Sequence, residues 1–318
     1  MQTLPWLMGY IPDLPSPFDR HGALDEAAFR RICTRQIEAG AKALVVGETT
    51  GEFSTLAPQE HERLVRLAVE VAAGRAAVIA GAGSNASAQA VELARSAWKS
   101  GAQAIQSVTP YYNKPMQAGI VAHFEAIAAA VPLPIILHDA PARSLRPLSD
   151  ETVVRLAAST QFVGLADSSG DISRIARLRA LLPARFRLFS ADEATAVSFL
   201  LQGGDGCISA TANIAPVTCR SLYASCRRRN LRSALALAAR LAPLCDAVHF
   251  DCAPAAVKHA LAMFHLLSPD VRLPLTELSG AAKTALELTM MGFGASEHVS
   301  VAPAVPSPGV TGLRRAVR

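Results

Sequence analysis

Four polar stretches hold the side chains best suited to chemistry. GETTGE (47–52) sets Thr49 and Thr50 side by side in a glycine-framed turn, and TPYYNKP (109–115) offers Tyr111 and Tyr112 after a proline. HDAPARS (138–144) supplies His138, Asp139 and, after its own proline, Arg143, while ADSSGD (166–171) supplies Asp167 between Ala166 and a pair of serines. Hydroxyls, backbone N–H groups and a guanidinium together suit a small carboxylate ligand. His138 can give and take a proton near neutral pH, or serve as a hydrogen-bonded residue of the site rim. Asp167 reads as a structural acceptor. His138, Asp139 and Asp167 follow no metal-binding spacing, so neither a metal nor another cofactor is expected.

Such groups act together only if the fold brings them to one face. Short β-branched or apolar runs at 7–11, 43–46, 77–81, 104–108, 134–138, 162–166, 186–190 and 206–209 alternate with helical patterns such as 23–40, 58–74 and 86–101. This alternation fits an α/β fold of the (β/α)8 TIM-barrel type. No GxGxxG follows the first run, which disfavours an open doubly wound sheet. From about residue 212 the pattern becomes all helical. The expected organisation is a barrel over 1–225, a C-terminal helical extension over 226–291 and a flexible Pro-, Gly- and Ser-rich tail over 292–318. Reactive groups of a barrel sit at the C-terminal ends of its strands. All four stretches fall there, joined by SADE (190–193) and SATAN (209–213).

Composition narrows the partners. The chain is 51% hydrophobic and 18% charged, with a mean hydropathy of +0.26, which excludes a disordered protein. No apolar run is long enough to span a bilayer, and MQTLPWLMGYIPD lacks the basic start and apolar core of a secretion signal. A cytoplasmic protein without a membrane partner is expected. The net charge of +5 and pI near 9.0 would suit nucleic acid, but the charge is spread through helical segments. Its one cluster, CRRRNLR (226–232), reads as a solvated helix end, so no nucleic-acid partner is expected. Cys33, Cys207, Cys219, Cys226, Cys245 and Cys252 show no CxxC spacing and read as free thiols.

GETTGEFSTL, VTPYYNKP, the Pro-x-Arg of APARS, FVGLADSSGD and GGDGCISATANIAP, in that order, resemble the dihydrodipicolinate synthase/N-acetylneuraminate lyase family over roughly residues 7 to 290. The resemblance implies a (β/α)8 barrel with a helical extension, assembled as a homotetramer of tight dimers or as a homodimer. It implies class I aldolase chemistry on pyruvate or a related 2-ketoacid, in which a lysine ending strand six forms an imine with the ketone. The family reaction joins pyruvate to aspartate semialdehyde, giving 4-hydroxy-tetrahydrodipicolinate for lysine biosynthesis, and related lyases act on sialic acid or sugar acids. Carried over by position, Thr49 and Thr50 bind the pyruvate carboxylate, with Thr49 also in a proton relay. Tyr112 is the relay tyrosine and Tyr111 lies at the dimer contact. Arg143 holds the carboxylate of the second substrate, and the Ile208 carbonyl lies close to the ketoacid.

Two positions depart from the pattern. The resemblance puts the imine-forming lysine where Ala166 stands, and a catalytic tyrosine where His138 stands. Imine catalysis needs a primary amine against the carbonyl. Strand alternation puts Phe162, Gly164 and Ala166 toward the barrel interior, and Val163 and Leu165 toward the helices. Lys42 precedes strand two, Lys99 ends a helix, Lys114 follows strand four, and Lys258 and Lys283 belong to the extension, so none is an obvious substitute. Three accounts of Ala166 stay open: a pseudoenzyme that keeps the pocket, a deliberate lysine-to-alanine change in an active enzyme, or catalysis without a covalent step. Lysine-inhibited members of the family use a histidine and a glutamate at the dimer groove. Pro58 and Gln89 stand there instead, although His61, Asn85 and Tyr111 are kept, so inhibition by lysine is not expected.

Overall fold

The computed structural model of the protein describes residues 4–293 and Glu297. Eight short strands alternate with helices: β1 (Gly9–Pro12), β2 (Ala43–Val46), β3 (Ala77–Gly81), β4 (Ala104–Val108), β5 (Ile135–Asp139), β6 (Phe162–Asp167), β7 (Arg187–Ser190) and β8 (Gly206–Ser209). Every strand begins within two residues of the expected position. All neighbours pair in parallel, in the order β1-β8-β7-β6-β5-β4-β3-β2. A bridge between Asp13 and Val45, with the Leu14 N–H donating to the Val45 carbonyl at 2.9 Å, links β1 to β2. The TIM-barrel expectation holds.

The helices begin where local chemistry allows. After β1 comes α1 (Glu26–Glu38), whose cap Asp25 accepts the Ala28 N–H at 2.8 Å. Helix α2 (Pro58–Ala72) starts on a proline whose missing N–H costs nothing there. Next come α3 (Ser87–Lys99), α4 (Gln117–Ala130), the short α5 (Pro141–Ser144) and α6 (Asp150–Ala157), the last capped by Ser149. They are followed by α7 (Arg174–Leu181), α8 (Ala196–Leu201) and α9 (Pro216–Arg227). The helical extension is α10 (Leu231–His249), α11 (Ala253–Met263) and α12 (Gly280–Met291), with Asn230 and Ser279 capping the first and last. CRRRNLR is the end of α9, an exposed turn and the start of α10, as its sequence suggested. Among the described residues no single helix is long and apolar enough to cross a membrane.

Two apolar layers follow from the alternation. The outer layer packs strands against helices and includes Leu44, Leu137 and Leu165 from strands and Phe124 and Val153 from helices. The inner layer fills the barrel with Ile11, Val45, Ile79, Ile136, Ala166, Phe189 and Ile208.

Strand β6 corrects the sequence reading. Phe162 packs outward, its ring edge-on to Phe124 with centroids 6.4 Å apart, and Val163 turns to the inner layer. The cause is a register shift: Ile135 pairs with Phe162 but Ile136 pairs with Gly164, so Val163 is an extra residue that breaks the period of two. Beyond the bulge the alternation resumes, and Ala166 faces inward as expected.

Of the tail expected over 292–318, residues 294–296 and 298–318 lie outside the described residues. Glu297 is buried at the start of α9, where it accepts the Val217 N–H at 3.0 Å and the Thr218 N–H at 3.2 Å. The orphan N–H groups of a helix start favour such a carboxylate.

Candidate active site

The turn after β2 is built by close backbone approach. Gly47 has φ +65°, and a Cβ on Gly81 would meet the Gly47 carbonyl at 2.0 Å, so neither position tolerates a side chain. The turn therefore folds over β3 and aims Glu48, Thr49 and Thr50 at the barrel axis. A cavity of about 310 Å³ opens there, at the C-terminal ends of the strands, and Thr49, Thr50, His138, Arg143 and Ile208 all line it. Five of the residues singled out from sequence are thus brought together.

The two tyrosines are placed elsewhere. Tyr111 packs edge-on against Phe53, with ring centroids 6.2 Å apart. Tyr112 is 88% exposed and has φ +72°, and neither ring lines the cavity of its own chain. Ala166 is fully buried between His138 on β5 and Phe189 on β7, and it too is outside the cavity lining.

Sequence reasoning missed the carboxylates at the cavity floor. Glu48 is 3% exposed; its Oε2 accepts the Thr49 N–H at 2.6 Å and the Thr49 hydroxyl at 2.7 Å, and its Oε1 lies 3.1 Å from His138 Nδ1. Asp13, at the seam between β1 and β2, accepts the Thr50 N–H at 2.8 Å. Burial opposes the charge on Glu48, but the His138 imidazole and the Thr49 donors win, holding its carboxyl at about 2. Burial and the nearby Glu48 charge push Asp13 the other way, to about 7. Burial disfavours the charged imidazole of His138, yet Glu48, Asp13 and Asp139 outweigh it and raise its pKa. The contacts agree. Ser168 Oγ donates to the Ala191 carbonyl at 3.2 Å, which leaves that hydroxyl oxygen to accept from His138 Nε2 at 3.3 Å, and Nδ1 faces both Glu48 Oε1 at 3.1 Å and the Gln106 side-chain amide at 3.4 Å.

Around this floor stand two supports. Arg174 is buried and donates to Asp139 at 2.7 Å, Asp150 at 2.9 Å, Asp167 at 3.2 Å and the Leu148 carbonyl at 2.6 Å. It locks the ends of β5 and β6 together and gives Asp167 the structural role expected of it. Glu193, after β7, accepts from Ser209 and Thr211 and lies 3.1 Å from His249 Nε2, at the end of α10. That pairing lowers the Glu193 carboxyl despite its burial and raises the His249 imidazole. Among the described residues no three His, Cys, Asp or Glu side chains converge as a metal cage. All six cysteines are free.

Comparison with known proteins fits this architecture. The model of the dihydrodipicolinate synthetase family matches residues 7–291. The 4-hydroxy-tetrahydrodipicolinate synthase of Hyphomonas neptunium is 45% identical over 284 residues, covering 89% of this chain and 97% of its own. That of Brucella abortus is 41% identical over 285 residues, with coverage of 89% and 97%. The crystal structure of the chloride-inhibited dihydrodipicolinate synthase from Acinetobacter baumannii, complexed with pyruvate, superposes with a TM-score of 0.88 at 36% identity, covering 91% of this chain and 99% of that one. With an eight-stranded barrel, a helical extension and a polar cavity at the strand ends, the chain belongs to the dihydrodipicolinate synthetase family.

Proposed function

We propose that the cavity receives pyruvate or a related 2-ketoacid and that imine-dependent aldol turnover, the family reaction in lysine biosynthesis, is lost or strongly impaired in this chain. The observation that carries the reading is Ala166, whose methyl group stands on the inner face of β6 where the resemblance calls for an amine. No other lysine compensates. Lys258 is closed in an ion pair with Glu52, Lys283 pairs with Glu277 at 2.7 Å, and Lys42, Lys99 and Lys114 are outside the cavity lining. Covalent catalysis without its nucleophile leaves binding and proton transfer only, a loss of several orders of magnitude.

Borohydride reduction in the presence of pyruvate, followed by mass spectrometry, tests this on the protein and on Ala166→Lys side by side. The expected result is no adduct on the parent chain and one on the variant. A reduced pyruvyl adduct on the parent would overturn the reading.

Under this proposal the protein acts in the cytoplasm as a homotetramer or homodimer and is not inhibited by lysine. A second reading makes it a ketoacid sensor or the partner subunit of an active paralogue. It is favoured by Tyr112, 88% exposed and so available to a neighbouring chain. Saturable pyruvate binding without adduct or turnover would mark that role.

A further inference from the structure

The donors that would hold a ketoacid carboxylate at the cavity floor are already engaged. Thr49 gives its N–H and hydroxyl to Glu48, and Thr50 gives its N–H to Asp13. A ligand carboxylate seated there would meet two protein carboxylates, a like-charge encounter that disfavours it. One other atom at the floor wants a partner. Asp13 Oδ1 is enclosed and makes no hydrogen bond, on a residue only 7% exposed that lines the cavity. A polar atom so deep is rarely left unpaired, which points to a ligand group beside it. His138 faces the same space, and its 3.3 Å contact to Ser168 is long enough to yield to a ligand oxygen. At the opposite end, Arg143 is the one arginine among the described residues lining the cavity, and it is exposed at the mouth. His249 stands there too, with Asp192 and Asp246.

We propose that Asp13 and His138, the latter held by Glu48, form a non-covalent acid–base centre that exchanges the C3 proton of a 2-ketoacid, whose carboxylate lies outward against Arg143. This rests on the 2-ketoacid reading above and reverses the orientation that the family resemblance implies. Ionised Asp13 takes the proton from C3. The C–H pair becomes the C2=C3 bond, the carbonyl π pair moves to the ketone oxygen, and that oxygen takes the Nε2 proton of His138. The enol is left beside neutral Asp13 and neutral imidazole. Return of a proton to C3 from Asp13, after exchange with solvent, and of the O–H proton to Nε2 closes the cycle. No oxidant, metal or amine is consumed. The Asp13 pKa of about 7 leaves both of its forms populated near neutral pH, as such a base requires. Glu48 is a positioning residue, since it reaches the ligand only through His138.

Proton NMR of pyruvate in D2O, paired with a binding titration, tests the proposal. The protein should exchange the methyl protons on the order of a hundredfold faster than buffer. Asp13→Asn should lose that acceleration and keep binding, and His138→Gln should do the same. Arg143→Gln should raise the half-saturating pyruvate concentration. In Glu48→Gln the His138 ring signals should titrate at lower pH. Binding without accelerated exchange, or full exchange in Asp13→Asn, overturns this inference and leaves the 2-ketoacid pocket standing. Absence of pyruvate binding overturns both. Borohydride capture of the exchanging species would show an imine and overturn the non-covalent route.

Discussion

Three side chains at the barrel mouth divide two charges among them. Glu48 keeps its negative charge because His138 and the Thr49 donors face it, and Asp13, one partner poorer, keeps a proton that an exposed aspartate would lose. This has a consequence for stability. A carboxyl whose folded pKa is raised holds its proton where the unfolded chain has lost it, so its contribution falls as pH climbs from about 4 to about 7. His138, also raised, adds stability that is full below its ordinary pKa of 6.5 and is lost as pH rises through the folded value. Both terms run the same way. Replacing Asp13 by asparagine removes the first of them and retains an acceptor for the Thr50 N–H. Thermal unfolding of Asp13→Asn should therefore lose much of the decline between pH 4 and 7, leaving the variant more stable above pH 7, by about 4 kcal/mol at most. An unchanged pH profile in that variant would show that Asp13 titrates as an ordinary carboxyl.

The β5–β6 pair is the element on which the site depends, since it carries His138 and Ala166 and its ends are tied by Arg174. Arg174 is 4% exposed and serves two buried aspartates, so its loss would strand Asp139 and Asp167. Arg174→Met should destabilise the protein by about 3–5 kcal/mol in denaturant unfolding, whereas Arg177→Met, on the exposed side of α7, should change little. The same pair marks where the sequence was legible. Strand limits were, because buried parallel strands read as apolar runs ended by polar turns. The facing of Phe162 and Val163 was not, because a bulge leaves no mark on a run of apolar residues. Glu48 lay in a motif already singled out, yet a glutamate in a polar turn looks solvated until Gly47 and Gly81 close over it. Asp13 carried a faint signal, an acid inside the apolar run YIPDLP, but only barrel closure brings it to Thr50 and Glu48. Arg174 lay outside every stretch singled out, and Glu193, although within SADE, gave no sign of its partners, which come from distant segments of the chain.

At the scale of the molecule, the helical extension grips the barrel at two loops that frame the cavity. His249, ending α10, meets Glu193 after β7. Lys258, on α11, is fully buried against Glu52 at the end of the Thr49–Thr50 turn, with its ammonium 4.0 Å from the centre of the Phe18 ring and donating to the Asp270 carbonyl at 2.8 Å. Arg272 adds a second grip on the same turn, donating to the Thr55 carbonyl at 2.9 Å and to Glu60, and giving its backbone N–H to Glu52 at 3.1 Å. Both side chains of the pair are fully buried, and that burial lowers the Lys258 pKa to about 8 even beside Glu52. A buried pair of this kind is costly to break from one side and cheap to replace as a whole. Lys258→Met alone should therefore destabilise by about 3–5 kcal/mol, because the Glu52 charge is left without its partner. Adding Glu52→Gln should recover part of that loss, giving a coupling on the order of 1–3 kcal/mol in a double-mutant cycle of unfolding free energies. Strict additivity of the two substitutions would mean that the extension holds the turn through Arg272 and apolar packing, with the ion pair contributing no coupling of its own.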